Sequence, residues 1–202
     1  VRFELRTGDD ACGFAYPRVQ GFPEITGGKD GGNGPFAIGD TAWIGFALYL
    51  PLTDPSNSDE LLVFQIKDTP DSLDFEADQR APWLELAVVS GQWRIRSRTD
   101  TDEAGSPTVT THYTANASKG TWTYWVIQAV WGVGTDGELN VWRGEILADD
   151  NTATYVQVVT APGIAIGYDQ DYPGYVALGL ECASLTATRV VYADIIRIGD
   201  AD

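Results

Sequence analysis

The chain has a single histidine, His112, and only two cysteines, Cys12 and Cys182, in 202 residues. That scarcity excludes the usual zinc spacings, which need closely grouped Cys and His. It also confines a histidine base to one position, inside Pro107–Ala115 (PTVTTHYTA). Basic residues are few as well: 13 Lys and Arg stand against 29 Asp and Glu, a net charge of −16. Phosphate backbones are bound by basic clusters, so no nucleic-acid partner is expected. The same field repels a polyanion at long range, and only a cleft that collects arginines can override it. No apolar run approaches the ~20 residues of a membrane-spanning helix, so no membrane partner is expected. Nor does any segment hold a helical apolar period for several turns.

What the chain does have is aromatic residues and short alternating runs. Hydrophobic residues make up 44% and aromatics 11%, including seven Trp and nine Tyr. Some of these rings are expected at a surface, where they can stack on a sugar or a partner. Alternating runs bounded by Gly, Pro, Asp and Asn read as strands near 1–7, 41–50, 60–67, 83–89, 92–99, 107–114, 121–131, 137–148, 153–160, 174–182 and 189–198. The expectation is an all-β fold, a two-sheet antiparallel β-sandwich in one domain over residues 1–202. Residues 8–40, with the run GGKDGGNG at Gly27–Gly34, read as one long irregular segment.

Side-chain parity divides each strand into an apolar face and a polar or aromatic one. Stacked side by side, the second faces line one groove. Its lining is Arg2, Glu4, Arg6, Trp43, Tyr49, Gln65, Lys67, Glu85, Arg94, Arg96, Gln128, Tyr175 and Glu181. Acidic loops at Asp54–Asp59, Asp100–Glu103 and Asp169–Asp171 offer oxygen ligands of the kind a structural calcium takes. No catalytic metal and no other cofactor is expected. A Cys12–Cys182 disulfide would suit an extracellular setting, with two separate buried thiols as the plain alternative. Asn116-Ala117-Ser118 is a glycosylation sequon.

Several segments in order carry a resemblance: VRFELRTGD (Val1–Asp9), FALYLP (Phe46–Pro51), a GTW strand at Gly120, DGELNVWRGE (Asp136–Glu145) and VVYADIIRIGD (Val190–Asp200). Together they resemble the concanavalin-like jelly-roll polysaccharide lyases, the group of alginate, glucuronan and heparin lyase relatives. The resemblance implies a jelly roll that cleaves a uronate-containing polysaccharide by β-elimination, secreted or on a virion surface. Members share three motifs: Arg-x-Glu-Leu-Arg, Gln-Ile/Val-His and Tyr-Phe-Lys-x-Gly-x-Tyr. Here the first reads Arg2-Phe3-Glu4-Leu5-Arg6 and the second Gln65-Ile66-Lys67, with lysine for histidine. The third reads Tyr175–Glu181 (YVALGLE), with Ala177 for the lysine and Glu181 for the tyrosine.

Elimination on a uronate needs donors that neutralise its carboxylate, a base for the C5 proton and an acid for the leaving oxygen. The resemblance implies Arg2, Arg6 and Gln65 as donors. Lys67, Tyr168, Tyr172 and Tyr175 are candidates for the proton transfers, with Glu181 beside Lys67; His112 has no motif context. Glu4, Arg6, Trp43, Tyr49, Glu85, Arg94, Arg96 and Gln128 are the expected substrate-binding residues. The plain alternatives are a Lys67–Glu181 ion pair across neighbouring strands and a solvated Arg94, Arg96, Arg98 ladder. A glycosidase needs two carboxylates about 5–10 Å apart; Glu85 and Glu181 could supply them from the groove face, but no E-x-D-x-x-E array is present. Two function classes therefore stand: a lyase, or a non-catalytic carbohydrate-binding or host-recognition module on the same scaffold.

Overall fold

The computed structural model describes residues 1–9, 18–21, 36–55, 58–67, 82–100, 107–145, 154–168, 174–182 and 185–199. Among them are twelve strands: β1 (Arg2–Leu5), β2 (Arg18–Gly21), β3 (Thr41–Tyr49), β4 (Glu60–Lys67), β5 (Leu84–Val89), β6 (Gln92–Asp100), β7 (Thr108–Asn116), β8 (Trp122–Val130), β9 (Gly132–Glu145), β10 (Thr154–Tyr168), β11 (Tyr175–Cys182) and β12 (Arg189–Gly199). The alternation locates these elements because every buried strand face must be apolar while its neighbour face is not. β2 is the exception. It lies inside the segment expected to be irregular, and its four residues are too short for a period to show.

The strands form two sheets. The first runs β1-β12-β3-β8-β9-β10 and the second β6-β5-β4-β11-β2, with β7 on the free side of β6. β10 links them: it pairs antiparallel with β9 up to Ile166, then its last two residues run parallel to Thr99 and Asp100 of β6. All other pairings between the named strands are antiparallel. β5 and β6 join through Ser90-Gly91, with φ of 51° and 74°, the left-handed pair a tight two-residue hairpin requires.

Aromatic rings fill the space between the sheets. Phe46 of β3 stacks on Phe64 of β4 with centroids 4.5 Å apart, and Trp93 of β6 meets Trp125 of β8 edge-on at 5.5 Å. Trp83 and Trp131 are also fully buried. Such pairs add roughly 0.5–1.5 kcal/mol each beyond the area they bury. The other three tryptophans, Trp43, Trp122 and Trp142, are half-buried on the outer face of the first sheet. Cys182 lies in the core, whereas Cys12 lies outside the described residues, as do Tyr172 and Asp169–Asp171.

One charged contact is buried at the end of the sandwich. Arg189, 1% exposed, grips Asp54 through Nε at 2.8 Å and Nη2 at 3.2 Å. Lys119 donates to the carbonyl of Asp54, and Asp59 accepts from the backbone and hydroxyl of Thr186. In the Asp54–Asp59 loop both acids are thus used by protein donors. Among the described residues no group of three or more His, Cys, Asp and Glu is placed to hold a metal. Removing one partner of a buried pair strands the other charge, at a cost of about 3–5 kcal/mol. Arg189→Met should therefore lower the unfolding free energy by about that much in urea titrations. Adding Asp54→Leu should restore part of it, and a loss below about 1 kcal/mol would show the pair to be dispensable.

Candidate active-site groove

The outer face of the second sheet carries three rows of side chains set by strand register. The first row runs Arg94 (β6), Ala87 (β5), Leu62 (β4), Glu181 (β11) and, at the last register position, Arg18 (β2). The second runs Arg96, Glu85, Gln65 and Ala177. In the third, Lys67 lies opposite Tyr175. Two irregularities create this order. An extra residue in β4 between Leu62 and Phe64 puts Leu61, Val63, Phe64 and Ile66 in the core, so Leu62 joins Gln65 on the groove face. Simple alternation had placed Leu62 with Phe64; the bulge reverses it. The second is in β11 between Leu178 and Glu181, at Gly179 with φ 147°, a conformation that favours glycine.

The centre of the groove is a three-residue cluster. Lys67 Nζ lies 2.8 Å from Glu181 Oε2, and Gln65 Nε2 donates to the same oxygen at 3.4 Å. Both ionised side chains are only 12% exposed and Gln65 is fully buried. Ala177 lies between Tyr175 and Gly179 on this face, and its methyl group leaves the Lys67 stem a path toward Glu181. The expected Lys67–Glu181 ion pair is therefore present. Gln65 Oε1 is buried without a hydrogen-bond partner, a polar atom in want of a donor.

To one side lies a charged network. Glu85, fully buried, is clamped by Arg96 and Arg98, and Arg96 also pairs with Glu60. Burial works against the Arg96 charge, but its hydrogen bond to Glu60 and the fields of Glu85 and Glu60 outweigh it and raise its pKa. So the arginine row is neither solvated nor wholly available; among the described residues only Arg94 of the three makes no ion pair. Among the described side chains, four cations (Lys67, Arg94, Arg96, Arg98) and three acids (Glu60, Glu85, Glu181) leave this face at +1, on a chain of −16. The groove is the electropositive cleft that a polyanion would require.

The other residues expected in the groove are elsewhere. Arg2, Glu4, Arg6, Trp43, Tyr49 and Gln128 all face outward from the first sheet. β1 pairs with β12, Arg2 against Tyr192 and Glu4 against Val190, while Phe3 and Leu5 enter the core. Parity alone cannot say which sheet a strand joins, and that is why one expected lining divides into two faces. There Glu4 is held by Arg6 and Arg2, whose hydrogen bonds keep its carboxyl below the ordinary range. Gln128 accepts from Asn140 at 3.0 Å. Arg2 is therefore not a groove residue. The strand beside β11 is β2, whose register sets Arg18 opposite Glu181 and Gln20 opposite Gly179. The sequence reading missed it; the only signal was the alternation of Arg18 and Gln20 in RVQG. Tyr168 ends β10, and its side chain lies outside the described part.

A β-sandwich with a charged groove across one sheet has room for an extended polymer, and comparison makes the class specific. The chain belongs to the polysaccharide lyase family: a family model described as polysaccharide lyase matches residues 2–197. Among solved structures, it is similar to an endo-β-1,4-glucuronan lyase from the fungus Trichoderma reesei, with TM-score 0.73, 17% identity and coverage of 99% of this chain and 80% of that one. It also resembles the family 7 alginate lyase A1-II′ in complex with substrate (TM-score 0.57, 16% identity, 98% and 77% covered). An alginate lyase from Pseudomonas aeruginosa follows at TM-score 0.52 and 14% identity, covering 98% and 82%. A sequence comparison with curated proteins returned no match. The jelly-roll sandwich is thereby established.

His112 lies apart from the groove. It sits at a bulge in β7 and bonds Ser97 Oγ through Nε2 at 2.8 Å, and Ser97 points inward from β6. Burial pushes its imidazole below the ordinary value. The neutral ring is thus favoured by folding, a contribution complete above the unfolded value of about 6.5 and lost as pH falls through the folded one. The urea midpoint should drop between pH ~7 and pH ~5.5, where few carboxylates titrate, and His112→Gln should flatten that drop. Equal pH dependence in both proteins would contradict the assignment.

Proposed function

We propose that the groove cleaves a uronate-containing polysaccharide by β-elimination, with Gln65 and Lys67 at its centre. The observation that carries this reading is the Gln65–Lys67–Glu181 cluster facing Tyr175, on a sheet face that gathers four of the 13 basic residues of an acidic protein. A uronate carboxylate entering there competes with Glu181 for the Lys67 ammonium and the Gln65 amide. These donors then stabilise the negative charge that grows on the carboxylate as the C5 proton leaves. Tyr175, across from Lys67, acts as its phenolate and takes that proton; the electron pair forms the C4–C5 double bond as the C4–O bond breaks, and Tyr175 returns the proton to the leaving oxygen. Glu181 orients the two donors. Glu85 has no part as a hydrolytic acid, because two arginines hold it as a buried carboxylate. A polymer substrate of this kind is met outside the cell, which agrees with an extracellular or virion-surface setting.

A second reading has one observation in its favour: Lys67 is already engaged by Glu181, and no histidine lies in the groove. On that reading the domain binds the polymer and leaves it intact.

Incubation with glucuronan, alginate, heparin-type and pectic polymers separates the two by the ultraviolet absorbance of the unsaturated uronate product. The expected outcome is a rise on at least one polymer. Tyr175→Phe should reduce the rate by about 10²–10⁴-fold as a proton-transfer loss, and Gln65→Ala or Lys67→Met by about 10²–10³-fold as a lost donor. No rise on any polymer, with the protein retained on one of them, would establish the binding module instead.

A further inference from the structure

The residues that β1 and β3 carry away from the groove build a surface of their own. On the outer face of the first sheet, Tyr49, Pro51, Trp122 and Tyr192 line an open depression of about 370 Å³. Tyr49 is central: its ring lies 5.6 Å from Trp122, tilted by 48°, and 5.7 Å from Tyr192, nearly edge-on. All three rings are half-buried, fixed at one edge and open at the other. Arg2 stands opposite Tyr192 in the β1–β12 pairing, at the rim. Beyond it the Arg2–Glu4–Arg6 ladder is exposed on its basic members, 49% for Arg2 and 70% for Arg6, and net positive on an acidic chain.

We infer that this depression is a second, non-catalytic binding site for a segment of an acidic polysaccharide. A pyranose ring offers apolar C–H faces and a rim of hydroxyls, and a uronate adds a carboxylate. Tilted aromatic rings beside guanidinium groups match that mixture. A protein partner or a second copy would call for aliphatic contacts, whereas among the described residues Pro51 is the only aliphatic lining the depression. Farther along the same face, six residues or roughly 20 Å by strand rise, Trp43 stacks on Trp142 at 5.7 Å. An amide ladder lies beside that pair: Asn140 donates to Gln128 at 3.0 Å and accepts from Gln157 at 3.1 Å. Rings at both ends, with the amides beside the far pair, suit an extended chain. The choice of an acidic polymer rests on the reading of the groove; the site itself does not.

The test uses the intact protein carrying Gln65→Ala and Lys67→Met, so that the groove neither cleaves nor grips. Its mobility is followed in native gels containing polyglucuronate or alginate. The double variant should still be retarded, and adding Trp122→Ala and Tyr192→Ala should weaken apparent affinity by roughly tenfold or more, the usual scale for an aromatic anchor. Trp122→Phe and Tyr192→Phe, which keep rings and packing, should retain most of the retardation and control for misfolding. Retardation unchanged by the alanine variants would overturn the proposal, as would complete loss of retardation in the groove variant alone. Elimination assays on the parent fail or succeed independently of this result, so the two readings fall separately.

Discussion

The antiparallel register between β4 and β11 sets Lys67 against Tyr175 and Gln65 against Ala177, and the chemistry available in the groove follows from it. A slip by one residue would bury Lys67 and Gln65 in the core and expel Ile66. Two bulges, in β4 before Phe64 and in β11 at Gly179, set Glu181 opposite Leu62 on the same face as Gln65 and Lys67. The register itself is held by what lies underneath. Ile66, Phe64, Val176 and Leu178 are buried, with Phe64 stacked on Phe46 of the opposite sheet. Precision at the polar surface is thus inherited from apolar packing below.

Charge is distributed to match. A chain at −16 would repel an acidic polymer, yet four of its 13 basic residues lie on one face of the second sheet. Glu85 and Glu60 neutralise part of that charge and fix Arg96 and Arg98 in place, leaving Arg94 as the cation without an ion partner among the described residues. Lys67 stands where members of the family show a histidine, and Ala177 where they show a lysine.

Most strands were legible because alternating apolar residues and turn pairs such as Ser90-Gly91 are local signals. The inward arginine-free face of β6 and the Lys67–Glu181 pair also followed from parity. Sheet membership did not. Arg2, Glu4 and Arg6 alternate in the same manner whether β1 joins β11 or β12, and the pairing with β12 is a long-range choice made by packing. β2 escaped notice for the opposite reason, since four residues carry too little pattern. The bulge in β4 adds one residue to a strand whose sequence reads as unbroken.

The most direct test of the account is a crystal structure of Tyr175→Phe with a uronate oligosaccharide bound. The account expects a sugar carboxylate within hydrogen-bonding distance of Gln65 Nε2 and Lys67 Nζ, with Glu181 drawn back from the lysine and the C5 hydrogen directed at the ring of residue 175. An oligosaccharide lying only over Tyr49 and Trp122, with the Lys67–Glu181 pair undisturbed, would contradict it.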